Sequence, residues 1–300
     1  MPVRNFTWKD LPAVLDFIGK VQAQDEHGRR LRRQNFKELL RQPGLVPEEN
    51  CLLLEEDGQI LGGCLIFPEP RISRAVLGLD VDPQAANTPL ERELVRQSLA
   101  RSRALGVQVA HICLGQGSPR SQLVEGEGFH LARVYWDMVW RQERVPPADP
   151  PDGFTIRSFQ PGDAPALTEV QNAAFTGSWG FSPNTVEEIE YRSSMSNTSY
   201  PGILFLLNGE KVAGYCWTFL APASGKTRGI IGMIGVAPDY RGRGVSKPIL
   251  LAGMEYLKSV GVADIGLHVD GDNTPAIRLY LSVGFEKVGE LHWYEFRLHP

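Results

Sequence analysis

IIGMIGVAPDYRGRGVS, residues 230–246, is the stretch on which the reading of this chain turns. Its first seven residues, Ile230 to Val236, are short, apolar and rich in β-branched side chains, as in a buried strand. Ala237-Pro238-Asp239-Tyr240 ends that strand. Arg241-Gly242-Arg243-Gly244-Val245-Ser246 follows, and then a helix with apolar residues at Ile249, Leu250, Met254, Leu257 and Val260, a 3–4 spacing that makes one buried face. The segment between strand and helix has the physics of anion capture. A helix start leaves backbone N–H groups unpaired, and the helix dipole adds partial positive charge there. Glycines at 242 and 244 lack Cβ, so the backbone can take φ > 0 and approach a ligand closely. Arg241 and Arg243 add cationic arms suited to phosphate oxygens. The natural ligand is a pyrophosphate or another oligophosphate. Taken alone, the pattern also fits an ordinary turn with two surface arginines.

Two rival phosphate motifs fail on spacing. Gly225-Lys226-Thr227 has the tail of G-x-x-x-x-G-K-T, but the first glycine position is Leu220. Gly242-Arg243-Gly244 opens like G-x-G-x-x-G, but the third glycine position is Lys247. Downstream, residues 263–269 (ADIGLHV) read as a second buried strand. Thr274 is expected to cap a helix with Pro275 at its first position. That helix carries Ala276, Leu279 and Tyr280, ends near Gly284, and leads through Phe285 into a last strand.

R-G-R-G-V-S after a strand, followed by N-x-x-A-x-x-L-Y-x-x-x-G-F at residues 273–285, resembles the GNAT superfamily of N-acetyltransferases. The two motifs in this order are more specific than either alone, and they cover about residues 153–300. The resemblance implies acetyl-CoA as acyl donor and no metal. It also implies direct transfer to a primary amine, without a covalent enzyme intermediate, so that positioning supplies much of the rate. In that family the pantetheine arm lies between two splayed strands. Here the backbone at Ile234 and Val236 would bond it, and Arg241, Gly242, Arg243, Gly244, Val245 and Ser246 would hold the pyrophosphate. Asn273 would contact the arm, and Tyr280 would protonate the departing thiolate. Without the motif, Tyr280 reads first as a core aromatic. The Gly/aromatic loop with Phe175, Trp179 and Phe181 falls where family members line the acceptor site; a packed turn fits the same residues equally. The acceptor is expected to be a small-molecule or amino-acid-like amine. A protein N-terminus or lysine is an alternative acceptor, and a non-catalytic acyl-CoA sensor is an alternative function.

The same plan occurs twice along the chain. Val3-Arg4-Asn5-Phe6 with Asp10 resembles Ile156-Arg157-Ser158-Phe159 with Asp163. Residues 51–67 (CLLLEEDGQILGGCLIF) resemble 203–219 (ILFLLNGEKVAGYCWTF), each a hairpin turning at Asp57-Gly58 or Asn208-Gly209. Gly128-Phe129 matches Gly284-Phe285, and each precedes an aromatic-rich strand. Between the copies, residues 146–153 hold four prolines and read as a stiff linker. The expected fold is α/β: two tandem GNAT-like domains, 1–145 and 154–300, each a mixed, mostly antiparallel central sheet flanked by helices. The first copy has lost the ligand residues. Gly242 corresponds to Asn87, Gly244 to Pro89 and Tyr280 to Val124. Residues 1–145 are therefore expected to be non-catalytic.

Composition sets the remaining bounds. The chain is 42% apolar and 22% charged, enough for a sizeable core, and its formal net charge is -4, which argues against nucleic-acid binding by bulk electrostatics. The basic cluster at Arg29, Arg30, Arg32 and Arg33 reads as a solvated helix face, with a phosphate or acidic-partner contact as the alternative. Four cysteines without a C-x-x-C suit a reducing cytosol. There is no signal-peptide pattern and no membrane-length apolar run, so a cytoplasmic protein with no membrane partner is expected. The six histidines are scattered and form no metal motif. The amine must lose a proton to attack, yet residues 230–236 contain no titratable group. His268 and the glutamates Glu187, Glu188 and Glu190 each have an ordinary structural reading, so the sequence assigns no base.

Overall fold

The computed structural model describes residues 2–24, 33–147, 149–223 and 226–298. Of the basic cluster only Arg33 is among them, paired with Asp16 at 2.6 Å. Two compact units form: residues 1–135 with 289–300, and residues 136–288. They are therefore not the contiguous stretches 1–145 and 154–300, because each takes its last strand from the other half of the chain.

Unit 1 runs β1 (Val3–Asn5), α1 (Leu11–Gln24), α2 (Arg33–Leu39), α3 (Pro47–Asn50), β2 (Cys51–Glu56), β3 (Gln59–Glu69), β4 (Arg74–Val81), α4 (Pro89–Ala104), β5 (Val109–Gly115), α5 (Arg120–Gly126) and the first part of β6 (His130–Trp140). Unit 2 holds the rest of β6, then β7 (Phe154–Ser158), α6 (Ala164–Phe175), α7 (Val186–Ser193), β8 (Ile203–Asn208), β9 (Lys211–Ala223), β10 (Lys226–Val236), α8 (Ser246–Ser259), β11 (Ile265–Asp270), α9 (Thr274–Ser282) and the start of β12 (Glu286–Arg297). Within unit 1 the strand order is β1-β2-β3-β4-β5-β12, and within unit 2 it is β7-β8-β9-β10-β11-β6. Among the described ladders β4 with β5 and β10 with β11 are parallel, and the others are antiparallel. Helices flank both sheets, as the alternation of hairpins and amphipathic stretches predicts.

The repeat survives as repeated chemistry. Arg4 grips Asp10 with two hydrogen bonds of 2.9 and 2.8 Å, and Arg157 grips Asp163 with two of 2.5 and 3.0 Å. In each copy the next aromatic residue donates its backbone N–H to the start of the following strand: Phe6 to Cys51 and Phe159 to Ile203. The first hairpin turns through Asp57 and Gly58, both at positive φ. The second closes Asn208 on Lys211, so its loop is Gly209-Glu210 and only Gly209 is left-handed.

In unit 2 the sheet separates two cores. On one face Ile231, Val236, Leu267 and Val269 pack with Ile249, Leu250, Met254 and Leu257 of α8 and with Ile277 and Tyr280 of α9. On the other, Phe205, Tyr215 and Trp217 pack with Leu167, Val170 and Ala174 of α6 and Ile189 of α7. The expected apolar face of α8 is correct except at its end. Val260 is the C-cap and lies exposed, because the helix has already stopped at Ser259.

Candidate active site

The parallel pairing of β10 and β11 is two residues long: Gly229 with Ile265 and Ile230 with Gly266. Beyond it the strands diverge, and β10 keeps only its antiparallel partner β9. A bulge explains the divergence. The register against β9 slips between Ile231 and Met233, which leaves Gly232 as the extra residue. An inserted residue bends and twists its strand. Only glycine fits, because a Cβ at 232 would stand 2.3 Å from the Phe219 ring. Gly232→Ala is therefore expected to destabilise the fold by about 1–3 kcal/mol through overpacking. A urea midpoint lowered at unchanged m-value would register it.

The bulge also sets which peptide groups face the gap. Ala237 N–H donates to Ala213 O on the β9 side at 2.8 Å. Strand alternation then turns Gly235 the same way and turns Ile234 and Val236 toward the diverging edge. These are the two residues expected to bond a pantetheine arm. The Val236 carbonyl also accepts Arg241 Nε at 3.3 Å.

At the C-terminal end of β10, Gly242 and Gly244 both have φ of 75°, the left-handed conformation expected of them. Among the described residues, the amides of Gly242, Arg243, Gly244, Val245, Ser246 and Lys247 donate to no protein acceptor. Val245, the N-cap of α8, offers no side-chain cap either. Its own side chain is buried in the α8 core and anchors the turn. A fan of unpaired amides at the start of a 14-residue helix is a ready anion site.

The two arginines differ from the free arms expected of them. The Arg241 guanidinium donates to Ala174 O at 2.7 Å and so ties the loop to the end of α6. Arg243 lies over the Tyr240 ring, 5.3 Å from its centroid. Sequence reasoning missed the Arg241 strut because its acceptor is a backbone carbonyl 67 residues away.

Asn273, not Thr274, caps α9: its Oδ1 accepts Ala276 N–H at 3.2 Å and Pro275 stands in the first turn. The reason is the preceding turn, where Asn273 N–H already bonds Asp270 O. Tyr280, in the last turn of α9, is buried and meets Phe285 edge-on at 5.9 Å. Its hydroxyl has no hydrogen-bond partner among the described residues. Burial pushes the Tyr280 phenol well above its ordinary range, so it stays protonated.

On the α6 face, Phe175 stacks on Phe181 at 5.3 Å, and Trp179 is half-buried in the same turn. The Phe175 ring covers Gly235, where a Cβ would come within 3.1 Å of it. The aromatic pair thus sits at the gap's end of β10. Glu188 is committed to a capping box with Thr185, while Glu187 and Glu190 are exposed. His268 lies on β11 with its Nε2 3.5 Å from Asp137 Oδ1.

The counterpart loop in unit 1 is closed from within. Asn87 keeps the left-handed conformation of Gly242, with φ of 59°. Its N–H, however, donates at 2.6 Å to the buried carboxylate of Glu91, which Arg120 also holds. Thr88 caps α4 through Leu90 N–H, and Pro89 has no N–H to offer. Here the protein's own carboxylate stands at the helix start.

A profile of the acetyltransferase (GNAT) family matches residues 164–285. Mycothiol acetyltransferases from Thermomonospora curvata and Pseudarthrobacter chlorophenolicus are both 30% identical to the chain. The first aligns over 79% of this chain and 78% of its own length, the second over 77% and 72%. The chain belongs to the GNAT family. GNAT enzymes use acetyl-CoA, and this protein is an acyltransferase of that class. Two solved structures share the fold over the whole chain. A GCN5-related N-acetyltransferase from Sphaerobacter thermophilus has a TM-score of 0.73 at 24% identity and covers 99% of this chain and 96% of its own. A tandem GNAT protein from the clavulanic acid biosynthesis pathway has a TM-score of 0.74 at 15% identity, with 99% and 98% covered. The GNAT match falls on the unit that carries the unpaired amides. No helix among the described residues is long and apolar enough to cross a membrane.

Proposed function

We propose that this GNAT protein is an N-acetyltransferase with one working site, in unit 2, that moves an acetyl group from acetyl-CoA to a primary amine of a small, amino-acid-like acceptor. The observation that carries the reading is the run of unpaired amides from Gly242 to Lys247 at the end of a strand whose neighbour has diverged. Those amides hold the diphosphate of acetyl-CoA, and the edge at Ile234 and Val236 bonds its pantetheine arm. Tyr280 gives its proton to the departing thiolate from the α8/α9 side. Phe175, Trp179 and Phe181 border the acceptor. Arg241 serves by bracing the loop, and Arg243 faces solvent beside it.

Mycothiol synthase, which the tandem plan resembles, acetylates a cysteinyl sugar amine, and so a cysteinyl amine is the first acceptor to try. That enzyme carries a glutamate near the position of Ile230, so the identical reaction is not assumed. The lack of a titratable group between Ile230 and Val236 favours one other reading, a non-catalytic acyl-CoA sensor. Calorimetry followed by free-thiol release separates them. The probes are S-methyl-L-cysteine amide, whose blocked sulfur does not interfere, D-glucosamine, and a peptide with a free N-terminus. CoA release with either small amine supports the proposal, and release with the peptide alone moves the acceptor to protein. Binding without release from any probe supports the sensor.

Unit 1 is proposed to bind no acetyl-CoA, since Glu91 already satisfies the loop amide that a phosphate would need. Calorimetry is expected to give one acetyl-CoA per chain, and still one for Glu91→Gln. Two per chain would overturn the closed first site.

A further inference from the structure

The geometry points to His268, held beside Asp137, as the group that takes the proton from the incoming amine. This inference rests on the acetyl-transfer reading above and supplies the base that β10 lacks. Strand geometry puts His268 at the gap. The β10–β11 ladder ends at Gly266, and His268 is two residues further, roughly 7 Å along β11, where β10 has already diverged.

Alternation decides the face. Ile265, Leu267 and Val269 point into the α8/α9 core, so Gly266 and His268 point the other way. A Cβ on Gly266 would meet Ile230 and Arg228 at 3.5 Å, which places those side chains on the same face as His268. Past the bulge, Met233 packs into the α6/α7 core and Gly235 meets Phe175, again on this face. On β6, Met138 and Trp140 point into the α8/α9 core, so Asp137 is turned to the side of His268. Tyr280 lies on the opposite face. An amine reaching the gap past the Phe175–Phe181 pair would therefore meet the imidazole on its own side of the sheet, and the sulfur would leave toward Tyr280.

Two neighbouring charged groups on β10 and β11 are occupied. Arg228 is locked to Asp264 by two hydrogen bonds of 2.7 and 2.9 Å. Asp270 accepts the Asp272 N–H at 3.0 Å within its own turn. The His268 side chain keeps 28% of its surface, enough to meet a substrate, and the Asp137 carboxylate stands 3.5 Å from its Nε2.

The proton balance closes. An ammonium R–NH3+ and acetyl-CoA give R–NH–acetyl, CoA–SH and one H+. His268 takes one proton from the ammonium, the freed nitrogen pair forms the N–C bond, and the C–S pair leaves with the sulfur. Tyr280 protonates that sulfur, and the second proton lost by nitrogen returns through solvent to Tyr280. His268 passes its own proton to solvent.

Two measurements test the assignment on the full chain. In the first, diethyl pyrocarbonate labels histidines with and without acetyl-CoA, and mass spectrometry follows each site. Labelling of His268 is expected to fall with acetyl-CoA present, while that of solvent-facing His130 does not. Equal labelling of His268 in protein that calorimetry shows to bind acetyl-CoA overturns this inference alone. Absence of binding by calorimetry overturns the acetyl-CoA reading and this inference with it. The second compares acceptors. His268→Gln is expected to lower turnover of S-methyl-L-cysteine amide about 100-fold or more, with unchanged acetyl-CoA affinity. Turnover of hydroxylamine, largely neutral at pH 7 and needing no proton removed before attack, is expected to fall far less. Equal losses with both acceptors, or no loss with either, overturn the assignment. A wild-type protein that leaves both amines untouched is judged by the labelling, which needs no acceptor.

Discussion

Gly244→Asp is expected to abolish measurable acetyl-CoA binding while leaving the protein folded. Residue 244 is exposed, and a Cβ there would meet nothing within 4 Å. The substitution therefore causes no clash. Its conformational cost comes from φ of 75° and is about 1–2 kcal/mol, at the low end for aspartate, which tolerates left-handed backbone. The binding effect is larger and electrostatic. The new carboxylate competes for the amides that would hold the diphosphate and repels its charge. Losing two charge-assisted hydrogen bonds costs about 3–6 kcal/mol, or roughly 10²- to 10⁴-fold in Kd. The helix start itself tolerates an acidic residue, so the stability loss does not exceed that conformational cost. Unit 1 contains the natural version of this experiment, with Glu91 bonding the Asn87 amide. Gly244→Ala separates the two effects, since it keeps the backbone cost of about 1–2 kcal/mol without the charge and should weaken binding about 30-fold at most. Calorimetry reads all three proteins, and an aspartate variant with wild-type Kd removes the loop from the site.

The second large effect falls on turnover. Tyr280→Phe deletes one oxygen and keeps the ring against Phe285. The hydroxyl has no protein partner among the described residues, so its loss should hardly change stability. If the phenol protonates the leaving thiolate, kcat falls about 10²- to 10³-fold while the Kd for acetyl-CoA stays within about twofold. The sign of the pKa shift adds a second check. Burial raises the phenol above its ordinary value of 10.0, so the proton-bearing form persists through neutral and mildly alkaline pH. Ionisation of Tyr280 should therefore impose no loss of rate up to that ordinary value. Undiminished kcat in Tyr280→Phe would remove the residue from the mechanism.

Much of the fold was legible because it is local. Asp57-Gly58 and Gly209 adopt the positive φ that a tight hairpin demands. The paired Arg–Asp clamps, Arg4 with Asp10 and Arg157 with Asp163, sit six residues apart in both copies, and the repeat was visible for that reason. Gly242 and Gly244 announced the anion loop through the conformations they permit. Small errors came where two local rules competed. At α9, Thr274 and Asn273 are both good caps, and the turn from Asp270 chose Asn273.

What the chain alone determined is each segment's backbone preference and apolar face, since both arise from neighbours within a turn or a strand. Tertiary structure decided the rest: where β10 parts from β11, which carbonyls Arg241 grips, that Glu91 fills the first loop, and that each unit borrows the other half's last strand. These depend on groups brought together through space after folding. Periodicity carries no record of them, because a hydrogen bond between distant residues leaves no spacing in the sequence.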